Sequence, residues 1–232
     1  MVRVRVLSYN VRSLRDDVPA LVRVVRGIRP DLACLQEVPR MVLWRAKRRR
    51  FARCCGLAVV AGRRPAGLAV LAGPRVRVLH REFHLLTRVP RLHRRGLAIA
   101  VVEIEGTPVV VASTHLDLAD VPRRAHAGQV LALLERARRR FGAPVVLTGD
   151  INEEPGGAAW ELLDRGFQDA FIAAPAGTGP TFSACDPRRR IDAVFVDPDI
   201  EIVGCGVPER AAAADYALAT DHRPVLAELD LR

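Results

Sequence analysis

The sequence predicts one α/β domain spanning residues 1–232, built on mixed strands. Three observations predict it. Short apolar runs bounded by Gly, Pro or charged residues alternate with stretches of helical period. The segment EIEGTPVVV reads as a hairpin, which makes part of the sheet antiparallel. No linker, internal repeat or low-complexity stretch divides the 232 residues.

The elements follow in order. MVRVRVLSYN alternates apolar and polar residues from the start and predicts a strand over 2–9, unlike the continuous apolar stretch of a signal peptide. DDVPALVRVVRGIRP predicts a helix. Asp16 or Asp17 caps it, Pro19 suits its first turn, and Val18, Leu21, Val22, Val25 and Ile28 form its apolar stripe. DLACLQE predicts a strand that is apolar until Gln36. Pro39 to Arg53 predicts a very basic helix. GLAVVAG, GLAVLAG, RVRVLHREF, RGLAIAVVEI and PVVVASTHL predict strands. VPRRAHAGQVLALLERARRRFG predicts an amphipathic helix stopped by Gly142. PVVLTGD predicts a short buried strand and GGAAWELLDRG a short helix. RIDAVFVDP, EIVGCGV and RPVLAELDL complete the strands.

Composition narrows the class. The longest apolar candidate, GLAIAVVEIEGTPVVVAS, is broken by Glu103, Glu105 and Pro108, well short of the ~20 apolar residues of a membrane span. A soluble cytoplasmic protein is the expectation. Five scattered cysteines make a poor disulfide framework and have no zinc-finger spacing. The formal charge of +10 suggests a polyanionic partner. Lys47 is the only lysine, however, and the enrichment in Arg, Ala, Val, Gly and Pro resembles the bias of a GC-rich genome, so the charge carries modest weight.

Polar residues recur where apolar strands stop. VRVLSYN ends in Asn10, DLACLQE in Gln36 and Glu37, VVVASTH in His115, and VVLTGD in Asp150 with Asn152 beyond it. RID places Asp192 at a strand start, and ATDH places Asp221 and His222 before the last strand. Groups on the ends of a rigid sheet can converge with little positional freedom. Carboxylates with amides, and no convergent cysteines, make a hard oxygen site that suits Mg²⁺ or Mn²⁺ rather than zinc. Two histidines add donors for phosphate oxygens, an inventory for metal-assisted phosphoryl chemistry. No Gly-x-Ser-x-Gly elbow and no phosphate-cradling Gly-rich loop with its lysine occurs. Taken singly, each polar residue has a plainer role as turn former, cap or solvated loop residue, and Asp192 has a rival partner in the neighbouring Arg190.

LSYNVRSL, DLACLQEV, ASTHLD, LTGDINEEP, RRRIDAVFV and ATDHRPVLAEL span nearly the whole chain. In that order they resemble the endonuclease/exonuclease/phosphatase superfamily, the deoxyribonuclease-I-like fold. The resemblance implies a four-layer sandwich, two packed mixed sheets with helices outside. It implies Glu37 as the main Mg²⁺ ligand, with Asn10 and Asp221 as direct or water-mediated ligands. Asp150 would orient or deprotonate the attacking water, with Asn152 holding water and phosphate. His222, charged by Asp192, would donate to a phosphate oxygen, and His115 would be a second donor. Arg95 of RRGLA would stand for a phosphate-binding arginine. In LTGDINEEP, an extended chain would point Asp150 and Asn152 to one side, Gly149 would let the backbone approach a ligand, and Glu153 and Glu154 would turn outward.

The resemblance does not fix the substrate. Members cleave DNA or RNA, remove phosphates from inositol lipids and other small molecules, or split sphingomyelin. Before RID the chain reads GPTFSACDPRRRID, without the tandem tryptophans of abasic-site endonucleases. No hydrophobic membrane-docking hairpin is evident, which counts against a sphingomyelinase. The first expectation is a monomeric Mg²⁺-dependent nuclease or phosphodiesterase, with nucleic acid among the candidate substrates. The second is a phosphomonoesterase or phosphoinositide-type phosphatase, and the third an inactive phosphate-binding relative. The run RAKRRRFAR over 45–53 is read equally well as a phosphate-facing helix surface and as a solvated arginine-rich face.

Overall fold

The computed structural model describes residues 1–209 and 213–232. In chain order the elements are β1 (Val2–Asn10), α1 (Val18–Ile28), β2 (Leu32–Gln36), α2 (Trp44–Cys54), β3 (Ala58–Ala61), β4 (Ala69–Ala72), β5 (Val76–Leu85), β6 (Gly96–Ile104) and β7 (Thr107–His115). There follow α3 (Asp120–Phe141), β8 (Val145–Asp150), α4 (Ala158–Asp164), β9 (Gln168–Asp169), α5 (Ala170–Ala173), β10 (Asp192–Val196), β11 (Glu201–Gly206), α6 (Tyr216–Ala219) and β12 (Val225–Leu231).

The strands form two six-stranded sheets, ordered β11-β12-β1-β2-β4-β3 and β5-β6-β7-β8-β10-β9. Each is antiparallel except for one parallel pair, β1 with β2 and β7 with β8. In β1, Val4 and Val6 face the other sheet, where they join Val70, Val102, Val111, Val146 and Val194 in the inter-sheet core. Leu7 and Tyr9 face outward onto Leu21, Val25 and Phe51 of α1 and α2. The outer face of the second sheet packs Ile99, Val110 and Leu147 on Val130 and Leu134 of α3 and Trp160 of α4. Central strands are buried on both faces, which is why their sequences are nearly unbroken apolar runs. The expected helix–sheet–sheet–helix order is the observed one.

Local chemistry explains the boundaries. Asp17 caps α1, its carboxylate accepting from Ala20 N at 2.8 Å. Arg29, left-handed at φ 52°, ends the helix before Pro30. Glu105 and Gly106, with φ of 50° and 84°, make the turn between β6 and β7. Gly142, at φ 58°, closes α3 as expected.

Four details differ from expectation. The basic helix starts at Trp44 instead of near Pro39, because Leu43 is left-handed at φ 58° and the chain before it is a turn. Arg48 of that helix is buried: it donates to Pro39 O at 2.9 Å and Leu68 O at 3.3 Å, so it cannot belong to a solvent-facing basic surface. Gly149 is needed for its neighbouring strand and not for a ligand, since a Cβ there would lie 2.7 Å from Thr114 O. Glu153 turns inward. Its carboxylate accepts from Ala159 N and Trp160 N, each at 2.8 Å, capping α4, and from Arg123 Nη2 at 2.9 Å. Glu154, by contrast, is exposed and meets only Arg189, at 3.2 Å.

Glu153→Ala should therefore destabilise the fold by about 2 kcal/mol, through the lost cap and the lost ion pair of buried Arg123, which keeps only Asp120 and two backbone carbonyls. Glu154→Gln should change stability little. Urea unfolding of the two variants checks the contrast; equal midpoints would show that the cap contributes nothing.

Candidate active site

The two parallel pairs bring four strand ends together. In one sheet Asn10 lies beside Gln36 across β1 and β2. In the other, His115, Asp150 and Asp192 sit at one register line across β7, β8 and β10. Side chains at matched register share a face, so three chemical groups stand side by side. The sheets meet at this end: Asn10 Nδ2 donates to Asp150 Oδ2 at 2.9 Å. Deeper in, Gln36 Nε2 donates to Ser113 Oγ at 3.0 Å and to Ser8 Oγ at 3.4 Å, a buried polar link between the sheets.

Asp150 Oδ2 is the point of convergence. Besides Asn10, it has His115 Nε2 at 3.3 Å and His222 Nε2 at 3.7 Å. Asp150 Oδ1 accepts from Asn152 N at 3.1 Å. Burial, and then the charge of Asp192, push the Asp150 carboxyl up to about 7, against the opposing pulls of His222, the Asn10 amide and the Asn152 N–H. A carboxylate with that poise exchanges a proton near neutrality.

His222 lies between two acids. Its Nδ1 is 2.8 Å from Asp192 Oδ2, and its other ring nitrogen faces Asp150. Burial pulls the imidazole down. Asp192, by charge and hydrogen bond, and then Asp150 and Asp221 outweigh it and carry His222 up to about 10. The ring is thus an imidazolium at neutral pH. Phe182 packs over it with ring centroids 5.1 Å apart, and Thr181 Oγ accepts from Asp192 N at 3.3 Å. Asp192 is thus paired with His222, while the neighbouring Arg190 is held by Asp169 at 2.8 Å.

His115 differs from His222. Burial, with Arg95 and His222 close by, holds it well below its ordinary value, so the ring is neutral. Asn152 Nδ2 lies 3.0 Å from His115 Nε2 and donates to Leu116 O at 3.0 Å. Asn152 does share a side with Asp150, but not by strand alternation. Asn152 is left-handed at φ 56°, and its N–H closes onto the Asp150 carboxylate.

Glu37 follows the end of β2, left-handed at φ 51°, and its Oε1 lies 3.4 Å from Asn10 Nδ2. Thr220 Oγ donates to Asn10 O at 3.1 Å, which ties Asp221 to the same corner. Asp221 also faces Arg12 Nε at 3.2 Å. Glu37 and Asp221 offer carboxylate oxygens toward a cation, which fits a hard divalent ion, while Asn10 turns its Nδ2 to Glu37 and Asp150 and accepts from Arg12 N at its Oδ1, 3.1 Å away. A tighter grouping of metal-type donors also exists: Asp150, Asp192 and His222, all buried, have donor atoms within 4.8 Å of one another. That grouping already carries its own imidazolium charge, and His222 Nδ1 is committed to Asp192.

Arg95 is buried, with Nε 3.6 Å from Asp117 Oδ2 and no hydrogen-bond partner for that Nε among the described residues. Burial lowers its pKa, opposed by Asp117, Asp150 and Glu37. Two neighbours of the site had no assigned role in the sequence reading, Asp117 and Arg12. Both lie inside the motifs ASTHLD and LSYNVRSL, and only their contacts with Arg95 and Asp221 place them beside the site.

Residues 7–222 match the profile of the Endonuclease/Exonuclease/phosphatase family. The chain belongs to this family. Among solved structures, an endonuclease/exonuclease/phosphatase from Bacteroides vulgatus is 21% identical, with TM-score 0.82 over 100% of both chains. The mannosyl-6-phosphatase Bt3783 of Bacteroides thetaiotaomicron is 18% identical, with TM-score 0.83 over 98% of this chain and 99% of that one. The human Nocturnin catalytic domain with bound sulfate is 15% identical, with TM-score 0.78 over 99% and 94%. No curated protein matches the sequence. At these identities the family's fold is shared, and hydrolysis of phosphate esters is the family's chemistry. No helix among the described residues is long and apolar enough to cross a membrane.

Asp192→Asn removes the largest pull that charges His222, so the His222 titration of the metal-free protein should move from about 10 to lower pH. Two-dimensional NMR of the imidazole checks this. An unmoved titration would mean that the pair does not set the histidine's charge.

Proposed function

We propose that the protein is a Mg²⁺-dependent phosphoesterase that hydrolyses phosphodiester bonds by direct attack of water. The observation that carries this reading is the buried Asp150 carboxylate, poised near neutrality, with an imidazolium and an amide on the same oxygen.

Asp150 takes the proton of the attacking water, and Asn152 and Asn10 hold the carboxylate and water in place. The attacked phosphorus group gains negative charge on its equatorial oxygens. The His222 imidazolium, kept charged by Asp192, donates to one of those oxygens. Arg95 brings fixed positive charge to the same mouth, and neutral His115 adds a hydrogen-bonding nitrogen. Glu37, Asn10 and Asp221 would hold Mg²⁺, or Mn²⁺ in its place, which would polarise a phosphoryl oxygen and neutralise charge. A phosphomonoester would meet the same groups, so a phosphatase of the same family is the second reading; the Bacteroides thetaiotaomicron neighbour is a mannosyl-6-phosphatase.

The test is turnover on a panel of plasmid, abasic duplex, single-stranded RNA, bis-p-nitrophenyl phosphate and inositol phosphates, each with Mg²⁺ and with EDTA. Asp150→Asn should lower turnover by about 10²–10⁴ while Mg²⁺ still binds, because an amide cannot take the water's proton. Asn152→Ala should also be severe, and Glu154→Gln close to silent. Glu37→Gln should weaken Mg²⁺ binding by calorimetry with the fold intact. An Asp150→Asn variant that keeps most of its activity would sink the mechanism.

A further inference from the structure

Arg12 meets two of the three residues proposed to hold the cation. Its backbone N–H donates to Asn10 Oδ1 at 3.1 Å, and its Nε lies 3.2 Å from Asp221 Oδ2. The other oxygen of Asp221, Oδ1, accepts from Thr220 Oγ1 at 3.3 Å. Both oxygens of this carboxylate are therefore taken by the chain itself. Glu37 differs. Among the described residues its carboxylate has one partner within hydrogen-bond distance, the Asn10 amide at 3.4 Å.

The backbone is bent where Arg12 sits. Arg12, Ser13 and Leu14 are left-handed in succession, at φ 39°, 59° and 56°. Residues with a Cβ adopt this region singly and at a cost, so a run of them persists only where neighbours fix it. Here they do. Ser13 N donates to Glu37 O at 2.6 Å, Leu14 N to Val11 O at 2.8 Å and Arg15 N to Arg12 O at 3.2 Å. This anchored turn carries the guanidinium to Asp221. A second acid stands beside it, Asp16, whose Oδ1 is 3.3 Å from Arg12 Nη1. The Arg12 and Asp221 side chains are 47% and 34% exposed. An ion pair this open to water is weak and can exchange partners, unlike the buried Asp192–His222 pair.

We infer that Arg12 is a built-in competitor of the divalent cation: its guanidinium holds Asp221 in the metal-free protein and yields it to the ion, keeping Asp16. This rests on the reading of Asp221 as a metal ligand given above. Two effects act in the same direction. An ion that needs Asp221 must displace the guanidinium, so the apparent affinity falls with the fraction of molecules in which that carboxylate is free. The positive charge left nearby also repels the ion. A guanidinium stays charged at any pH the fold survives, so the competition is set by cation concentration and not by pH. The site then loads at a higher concentration of divalent ion than its carboxylates alone would set.

Calorimetric titration of Mg²⁺ into the metal-free protein tests this. The wild type is compared with Arg12→Gln, Arg12→Lys and Asp221→Asn, and the double variant Arg12→Gln with Asp221→Asn closes a cycle. Arg12→Gln should bind Mg²⁺ at least about threefold more tightly than the wild type. Arg12→Lys, which keeps a cation there, should return toward wild-type affinity. Asp221→Asn should weaken binding, and in that background the gain from Arg12→Gln should largely vanish. Circular dichroism should show the same fold throughout. Unchanged or weaker Mg²⁺ binding by Arg12→Gln overturns the inference, since a residue that only braced Asp221 would loosen the site when removed. An equal gain with and without Asp221→Asn also overturns it, because Arg12 would then act as general charge. A wild type that binds no Mg²⁺, or binding that Asp221→Asn leaves as tight as before, overturns the metal set of the proposed function and the inference with it.

Discussion

The structure depends on the burial of one carboxylate. Asp150 is 1% exposed, and a buried carboxylate without partners would cost several kcal/mol. The groups that make its burial possible come from both halves of the fold. Asn10 reaches it from one sheet, His115 and Asn152 from the ends of β7 and β8, and His222 from the segment before β12. Register is consequently not free. A slip of one residue in β8 would turn Asp150 to the opposite face and leave Asn10, His115 and His222 without their common partner. The Gln36–Ser113 bond pins the same two sheets one layer deeper. The demand for a poised proton acceptor and the demand for a fixed sandwich are met by the same contacts.

Much of this was legible in the sequence because it is periodic. Strands buried on two faces leave apolar runs, and the polar residue that stops each run is conspicuous; Asn10, His115 and Asp150 were found that way. The long helix ending at Gly142 and the turn at Gly106 carry local signals that no tertiary contact overrides. What stayed hidden needed a distant partner. Glu153 looks like its neighbour Glu154 until Arg123 and the first turn of α4 are in place. Gly149 looks like a ligand-facing glycine until Thr114 is seen against it. That Asn152 would share a side with Asp150 was foreseen, but through the wrong geometry, because a left-handed residue two positions past a strand end cannot be told from an extended one by spacing.

The arginines divide by the same test. Arg190 is held by both oxygens of Asp169 and stacks over Trp160 at 4.6 Å, and Arg48 and Arg123 satisfy backbone carbonyls inside the fold. These are internal struts, and their charge says nothing about a partner. The exposed remainder is uneven along the chain, with no acidic residue from Val38 to Arg81. Composition alone could not separate the two populations; burial does.

Two left-handed residues turn the chain back toward the candidate site just past the strand ends. Glu37 and Asn152 have φ of 51° and 56°, each just past the end of a strand whose side chains line the site. Such a conformation costs of order 1 kcal/mol or more for a residue with a Cβ, and it persists where the surroundings fix it. At Glu37 the kink sends the side chain back toward Asn10, while Ser13 N donates to Glu37 O and Val38 N to Gly67 O to anchor the main chain. The chain then leaves the sheet toward the exposed tip at Met41–Leu43. At Asn152 the kink sends the amide back to His115, and the chain continues into Glu153 and the cap of α4. The groups proposed to react therefore stay on rigid strand ends, and the loops begin beyond the kinks.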